Sequence, residues 1–395
     1  MGELDRLKTV DADIYRNSPF HEKLRIPLAR PWFDATEPEA VAEVVRSGQL
    51  CQGAVVARFE AAFAEKLGVK QAIAVSNGSI ALLIALQALG VRAGDEVIVP
   101  DMTFISTATC AMYLGARPVF GDIRSDNYCL DASKIEPLVS SKTRVILPVH
   151  YAGQTADMAE LQEIAAVHGL HVVEDAAEAH LARYRGGQFA GTIGDIGIFS
   201  FTPTKPMTTG EGGMLVTNSD DLADKCRAIR NFGDHGKFDW RDLGFNFRMT
   251  EMQAAIGICQ LAKLDAIIAA RQSKAARYDA AFANEEAIMT PHVRMAGDCN
   301  YQLYTIRFDA DQLDIQRDQI IDALAERGVA SRLYYPALHR SGVFEDLGTV
   351  DDRRFPETCR FEATALSLPI FTALTEREQD YVADNLLDIV RRHRR

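Results

Sequence analysis

The chain has 395 residues, a length at which one hydrophobic core usually divides, so two domains are expected. Apolar residues make up 47% of it, which supplies a large core and excludes a globally disordered chain. The 43 Lys and Arg residues against 55 Asp and Glu residues give a net charge of −12, which argues against broad binding to nucleic acid or anionic membranes. The basic run at 391–395 is interpreted as a solvated helix end.

Cysteine usage and the terminal segments indicate the compartment. The seven cysteines are scattered without a Cys-x-x-Cys pair, which is typical of reduced thiols and of neither a disulfide framework nor a zinc site. No apolar run approaches the length of a membrane span, and the charged N-terminal segment has no signal-peptide core. The sequence therefore predicts a soluble, cytoplasmic protein. Residues 1–25 are polar and irregular, and we expect them to form an N-terminal extension.

Helical and strand patterns alternate from residue 37 to residue 218. The predicted helices are 37–48, 56–68, 79–90, 106–115 and 157–169, and the predicted strands are 72–76, 95–100, 117–123, 144–150, 170–175, 197–202 and 212–218. Strands rich in Val and Ile, separated by helices, are typical of a mainly parallel sheet covered on both faces. The fold class is therefore α/β, with a mainly parallel seven-stranded sheet between helices.

The pattern changes after residue 262. A long helix predicted at 261–283 precedes a mixture of short strands, such as 302–308, and helices, such as 317–328. We therefore predict a large domain at 26–262 and a smaller α+β domain at 263–395.

Ligands of parallel sheets bind beyond the carboxyl ends of the strands, and several of these ends carry unusual residues. The turn SNGS, residues 76–79, offers N–H groups and hydroxyls at a helix start, which suits either a phosphate or a plain helix cap. Phe104 follows the next strand and suits either stacking on a ring or core packing. Asp175 ends an apolar strand, where it can pair with a protonated heteroaromatic nitrogen or cap the following turn.

The most unusual stretch is SFTPTKPMTTGEGGMLVTN, residues 200–218, in which Lys205 lies between Ser200 and a group of glycines. A lysine amine forms Schiff bases with aldehydes, although most loop lysines are simply exposed. Taken together, the sequence offers a phosphate cradle, a stacking ring, an acid for a pyridinium nitrogen and an amine for an aldehyde. That combination is what an enzyme using pyridoxal 5'-phosphate must supply.

These motifs resemble the DegT/DnrJ/EryC1/StrS family of sugar aminotransferases, within the fold type I pyridoxal phosphate enzymes. The resemblance runs from about residue 26 to the C-terminus and rests on SNGSIALLIAL, VIVPDMTFIST, PVHYAGQTADM, VEDAAEAH, SFTPTKPMTTGEGGMLVTN, LGFNFRMTEMQAAIGICQLAKLD and LSLPIF. It implies a transamination in two halves, with L-glutamate as the amino donor and a nucleotide-linked 4-keto-6-deoxyhexose as the acceptor. Within the family, the motifs resemble perosamine synthases.

The resemblance also implies roles for individual residues. Lys205 would bind the cofactor aldehyde and then move the proton during transfer. Asp175 would pair with the pyridine nitrogen, and Phe104 would stack on the ring. The residues implied to bind the phosphate are Gly78, Ser79 and Ser200.

Three further positions follow from the same resemblance. Asn246 would reach the phosphate of the neighbouring subunit, which makes a homodimer with shared active sites. His339 would line the substrate pocket from the second domain. Many members have Gln where this chain has Glu178, and a carboxylate there would repel the cofactor's 3-oxygen unless it is protonated or bridged. Glu178 is interpreted as a subgroup feature of the cofactor site.

Alternative functions remain compatible with parts of the sequence. Amination at C-3 of a keto sugar, or of a keto-cyclitol of the inosose type, depends on loops that face the substrate. A dehydratase of the same fold replaces the Schiff-base lysine by histidine, so Lys205 argues against it. A cofactor-binding regulator without turnover would not need the complete set of catalytic groups.

Overall fold

The computed structural model describes residues 25–347 and 351–395, so the expected N-terminal extension lies outside the described residues except for Arg25. The α-helices in these residues are α1 Thr36–Ser47, α2 Ala54–Leu67, α3 Gly78–Ala88, α4 Ser106–Tyr113, α5 Met158–His168, α6 Asp220–Arg230, α7 Glu251–Phe282, α8 Arg317–Glu326, α9 Pro356–Thr364 and α10 Glu376–Arg392. The strands are β1 Gln71–Val75, β2 Glu96–Pro100, β3 Arg117–Gly121, β4 Thr143–Ile146, β5 His171–Asp175, β6 Ile196–Ser200, β7 Gly213–Thr217, β8 Ile288–Met289, β9 Tyr304–Phe308 and β10 Ala365–Leu368.

Seven strands form one sheet in the order β1-β7-β6-β5-β4-β2-β3. The strands from β6 to β3 pair in parallel, whereas β7 is antiparallel to both of its neighbours. Every residue of β6 and β7 is buried, as expected of a sheet with helices on both faces. The predicted α/β class and the mainly parallel seven-stranded sheet are confirmed.

The sheet brings the carboxyl ends of β1, β2, β5 and β6 to one edge. At this edge Gly213, the first residue of β7, lies opposite both Val75 and Ser200 in the strand register. Helix α3 begins directly after β1, because the Asn77 side chain caps it by accepting a hydrogen bond from the Ile80 N–H at 2.9 Å. The motifs found in the sequence therefore converge on one edge of the sheet.

Helix α7 belongs to two hydrophobic cores. It begins at a capping box formed by Thr250 and Gln253, which is ten residues earlier than the helix predicted at 261–283. Leu264 packs in a core of the large sheet, while Tyr278 packs in the core around the second sheet, β10-β9-β8. The proposed domain boundary after residue 262 falls inside this helix, and the division into domains stays a prediction.

Length and composition would allow α7 to span a membrane, and it is the one such helix in the part of the chain that the structure describes. Its buried side chains lie in the two cores, which identifies it as a core helix. The basic C-terminal run closes α10, where Arg394 pairs with Glu285 at 2.8 Å and His393 lies 2.9 Å from an oxygen of Asp314. The run is thus matched by carboxylates of its own chain.

Candidate active site

The Lys205 side chain lies in the loop after β6, with 11% of its surface exposed. Its Nζ donates a hydrogen bond to Oε1 of Glu178 at 3.1 Å. The same oxygen accepts a hydrogen bond from the Tyr335 hydroxyl at 2.7 Å, and Oε2 accepts one from the Ala152 N–H at 2.8 Å. The Glu178 carboxylate therefore has three donors and needs no proton of its own to be satisfied.

Asp175 ends β5 and is 4% exposed. Its carboxylate accepts hydrogen bonds from the Thr107 hydroxyl at 2.8 Å and from the Ala177 N–H at 3.1 Å. Burial raises the pKa of Asp175 above its ordinary value, whereas these hydrogen bonds and the nearby Lys205 oppose the rise. A cationic N–H group placed against this acid would favour its ionised form.

The start of α3 forms a cradle of N–H groups and hydroxyls. A Cβ atom at Gly78 would lie 2.8 Å from Cβ of Ser200, so the approach of these two backbones requires glycine. The Ser79 hydroxyl donates to Oγ of Ser106 at 2.7 Å, and Ser79 is exposed. Free N–H groups at a helix N-terminus together with hydroxyls can bind a phosphate group.

Phe104 provides an aromatic face beside these groups. It follows β2 and is 53% exposed, which is unusual for a phenylalanine and contrasts with core packing. The edge of its ring meets Tyr335 with 5.8 Å between the ring centroids. Phe104 is thus free to stack on a planar ligand.

Tyr335 was missed by sequence reasoning, as was the backbone of Ala152. Tyr335 belongs to the motif YYPALH, from which the sequence analysis singled out only His339. A tyrosine in this loop carries no signal of its contact with Glu178, because the two lie 157 residues apart in the chain.

His339 lies away from the predicted substrate pocket. The backbone N–H of His339 donates to Oδ1 of Asp101 at 2.9 Å, and the ring Nδ1 lies 2.6 Å from Oδ2 of this buried acid. Its Nε2 lies 2.8 Å from Oδ1 of Asp352. His339 therefore anchors the segment that carries Tyr335 to the loop after β2.

The segment that carries Asn246 lies beside the turn at 76–79, because the Phe247 carbonyl accepts a hydrogen bond from the Ser76 N–H at 2.9 Å. Asn246 is exposed, and among the described residues its side chain makes one hydrogen bond, accepted from the Arg248 N–H at 3.4 Å. The structure thus brings together Lys205, Glu178 and Asp175, and among the described residues the Asn246 side chain makes no hydrogen bond to these three.

The segment after β5 is held in place by Asn300, which lies after helix α7. The Asn300 side-chain amide donates to the carbonyl groups of Glu178 and His180, at 2.9 Å in each case. Its oxygen lies so close to Gly153 that a Cβ there would be 1.8 Å away. Because Glu178 is fixed by its own backbone as well as by its carboxylate, its position depends little on the Lys205 side chain.

The loop before Lys205 is held from the same segment. The Gln302 side chain donates to the Thr204 carbonyl at 2.8 Å. The Gln302 carbonyl in turn accepts a hydrogen bond at 3.2 Å from Arg271, which is buried and also donates to the carbonyls of Tyr301 and Ile370. These contacts connect helix α7 to the lysine loop.

A small, partly open cavity lies beside this lysine. Its lining includes Leu28, Lys205, Gln302, Tyr334, Tyr335 and Ile370. The cavity is therefore mainly apolar and aromatic, with an amine and a few polar groups, as is typical of small-molecule sites.

Pyridoxal 5'-phosphate fits these residues. Gly78 and Ser200 lie close together, so the N–H groups at the start of α3 and the nearby serine hydroxyls can point at one phosphate group. The exposed Phe104 offers the face of its ring. A buried acid suits a pyridinium nitrogen, and the amine of Lys205 suits an aldehyde. The sheet and the site together define a fold type I pyridoxal phosphate enzyme.

Comparisons with known proteins give the family. Residues 31–387 match the DegT/DnrJ/EryC1/StrS aminotransferase family. The chain is 41% identical over 362 residues to GDP-perosamine synthase of Caulobacter vibrioides, covering 91% of this chain and 96% of that protein. The chain belongs to the DegT/DnrJ/EryC1/StrS family and is a pyridoxal phosphate-dependent aminotransferase, as the sequence predicted.

Solved structures agree with this assignment. S. venezuelae DesV, solved in complex with a ketimine intermediate, has a TM-score of 0.86 and 34% identity, over 93% of this chain and 99% of that one. Helicobacter pylori PseC, an aminotransferase involved in the biosynthesis of pseudoaminic acid, has a TM-score of 0.88 and 27% identity, with the same two coverages.

Proposed function

We propose that this enzyme transfers the amino group of L-glutamate to C-4 of a nucleotide-linked 4-keto-6-deoxyhexose, in the cytoplasm, during the synthesis of an amino sugar. The 41% identity to a GDP-perosamine synthase over almost the whole of both chains supports this substrate class. The observation that carries the reaction type is the Lys205 amine, held by Glu178 at the rim of the cavity and close to the buried Asp175.

Each catalytic role is proposed for a residue whose geometry suits it. The cofactor, when bound, supplies an electron sink for the carbon that loses or gains a proton. Lys205 would hold the aldehyde of the cofactor through its amine and would move the proton at the reacting carbon. The carboxylate of Asp175 keeps the ring nitrogen charged, which preserves the electron-withdrawing power of the ring.

The remaining contacts position the cofactor. Gly78, Ser79 and Ser200 bind its phosphate at the start of α3, where the helix dipole also favours an anion. Phe104 packs on one face of its ring. Glu178 lies beside the amine, and its repulsion of an oxygen on the ring is reduced because the Tyr335 hydroxyl already donates to it.

A homodimer with shared sites is part of the proposal. The loop between α6 and α7 carries Asn246 and four large apolar side chains whose exposed fractions lie between 63% and 85%. These side chains are Phe238, Trp240, Leu243 and Phe245. A contiguous exposed apolar loop is typical of an interface. A second copy of the chain would cover it and receive Asn246 at its own phosphate cradle.

A panel of acceptors tests the function. The purified enzyme is mixed with L-glutamate and, separately, with 4-keto-6-deoxy nucleotide sugars, 3-keto nucleotide sugars and keto-cyclitols, and products are identified by mass. We expect an amino sugar from the 4-keto arm and 2-oxoglutarate in equal amount. Lys205→Ala is the matched control and should give neither. Amination confined to the 3-keto or cyclitol arm would contradict the proposed acceptor, and failure in all arms would contradict the substrate class.

A further inference from the structure

The Tyr335 hydroxyl and the Lys205 amine share one carboxylate oxygen. Both donate to Oε1 of Glu178, at 2.7 Å and 3.1 Å respectively. The other oxygen is occupied by the Ala152 N–H at 2.8 Å. The negative charge of Glu178 is therefore divided between a neutral donor and a group that can be an ammonium ion or a neutral amine.

Tyr335 is well placed to act on this carboxylate for the whole reaction. Its segment is fixed to the large sheet by the contacts of His339 with Asp101, and its ring rests against Phe104. Burial and the adjacent Glu178 raise the pKa of Tyr335 well above its ordinary value, so the phenol keeps its proton and remains a donor.

The other titratable groups facing Lys205 come from the end of β5. Asp175 and His180 both lie within electrostatic reach of the amine. His180 is buried and neutral near pH 7, because burial lowers its pKa to about 3. Glu178 is the acid in direct contact with the Lys205 amine.

We propose that Tyr335 is a positioning residue that holds the Glu178 carboxylate and draws off part of its charge, and thereby limits how strongly Glu178 retains a proton on Lys205. A carboxylate that accepts a phenol hydrogen bond attracts a neighbouring ammonium ion less strongly than one that lacks it. The released lysine must be neutral to act as a base or nucleophile. Tyr335 would therefore keep more of the free lysine in its reactive form near neutral pH.

The proposal rests on the proposed role of Lys205, and its test does not depend on amino transfer. Full-length protein freed of cofactor is labelled with trinitrobenzenesulfonate across a range of pH, and peptide mass spectrometry reports the rate for the peptide that contains Lys205. The reagent modifies only neutral amines, so the midpoint of the rate against pH gives the pKa of this lysine. Tyr335→Phe should raise that midpoint by about one pH unit, and Glu178→Gln should lower it.

A double variant separates positioning from a direct effect. If Tyr335 acts through the carboxylate, Tyr335→Phe should cause no further shift in the Glu178→Gln background. Tyr334→Phe is the matched control, because among the described residues that hydroxyl makes no hydrogen bond, and it should leave the midpoint unchanged.

Three outcomes would overturn the proposal. These are an unchanged or lowered midpoint in Tyr335→Phe, a shift that persists in the double variant, and an equal shift in Tyr334→Phe. Circular dichroism and cofactor rebinding of each variant confirm that it is folded. Failure of the keto-sugar panel would leave these labelling results interpretable, so the two proposals fail separately.

Discussion

Gly78 and Ser200 approach each other so closely that a methyl group at position 78 would lie 2.8 Å from Cβ of Ser200. Because neither atom belongs to a flexible side-chain end, Gly78→Ala must displace the start of α3 or the end of β6. We expect the affinity for pyridoxal phosphate to fall about ten- to hundredfold, measured by absorbance titration. Gly342→Ala is the control, since its new Cβ meets only the mobile end of Glu345 at 3.3 Å. An unchanged affinity of Gly78→Ala for pyridoxal phosphate would contradict the proposed phosphate site at the start of α3.

Asp175→Asn should strongly reduce the rate of transamination without unfolding the protein. The amide can still accept the hydrogen bond from Thr107, but it cannot hold a positive charge on a ring nitrogen. We expect kcat/KM for glutamate to fall about a hundredfold or more. Thr107→Val keeps the Asp175 carboxylate, so its kcat/KM for glutamate should fall much less. An unchanged kcat/KM in Asp175→Asn would rule out the proposed pairing of Asp175 with the ring nitrogen of the cofactor.

The buried His180 predicts a loss of stability in mild acid. Burial, aided by the charge of Lys205, lowers its pKa from 6.5 to about 3. Between these values the unfolded chain binds one more proton than the folded chain, so stability falls as the pH drops through this window. The contribution reaches about 1.4 kcal/mol per pH unit.

Replacement of this histidine tests the effect. In urea unfolding at pH 7 and pH 5, His180→Leu should lose less stability on acidification than the wild type, by about 1 to 2 kcal/mol. His292→Gln removes an exposed histidine and should behave like the wild type. An identical acid loss in His180→Leu would show that His180 is not kept neutral.

Glu174 should contribute strongly to stability although it lies next to Asp175, for which a catalytic role is proposed. Its carboxylate is fully buried and accepts hydrogen bonds from the N–H groups of Gly191, Ile193 and Gly194, and its Oε2 lies 2.8 Å from Nε2 of His150. Glu174→Gln places an NH₂ group against these donors and should cost about 2 to 4 kcal/mol.

The measurement for Glu174 is the free energy of unfolding in urea. Glu163→Gln on the exposed face of α5 is the control and should change it by less than about 0.5 kcal/mol. A change at Glu174 as small as the control's would mean that these hydrogen bonds do not contribute as a group.

Shared active sites predict complementation between two inactive variants. Lys205→Ala and Asn246→Ala homodimers should each have little activity. In a mixed dimer, one site combines both substitutions and the other has neither. Unfolding and refolding an equal mixture should therefore restore about a quarter of wild-type activity. No recovery, despite mixed dimers seen by native mass spectrometry, would place Asn246 in the same site as the Lys205 of its own chain or outside the site.

The seven-stranded sheet and its helices were predictable because these elements are bounded by local signals. The helix predicted at 157–169 is observed at Met158–His168, between Asp157 and Gly169. The predicted strand 144–150 ends earlier, at Ile146, although Val149 still forms an isolated parallel bridge with Asp175. Strand β10 and helices α9 and α10 were not specified. Strand β10 pairs with a strand about 60 residues away, and its pattern is too short to be distinctive.

The site was predictable only in part. Lys205 and Asp175 lie at strand ends within distinctive motifs, and the structure places them at one edge of the sheet. The contacts of Glu178 with Ala152 and Tyr335 depend on how two loops distant in the chain pack, which no local pattern encodes. The same holds for His339, whose neighbours are acids of two other segments.

The contact of Gly153 with Asn300 has an evolutionary consequence. Since no side chain fits at 153 while an amide occupies 300, position 153 cannot accept a larger residue unless position 300 changes as well. Homologues with a bulkier residue at position 153 must therefore also have a different residue at position 300. That second change would remove the hydrogen bonds that Asn300 now donates to the carbonyls of Glu178 and His180. Covariation of this pair would therefore mark where ancestral enzymes repositioned residue 178, and protein engineers should vary both codons together.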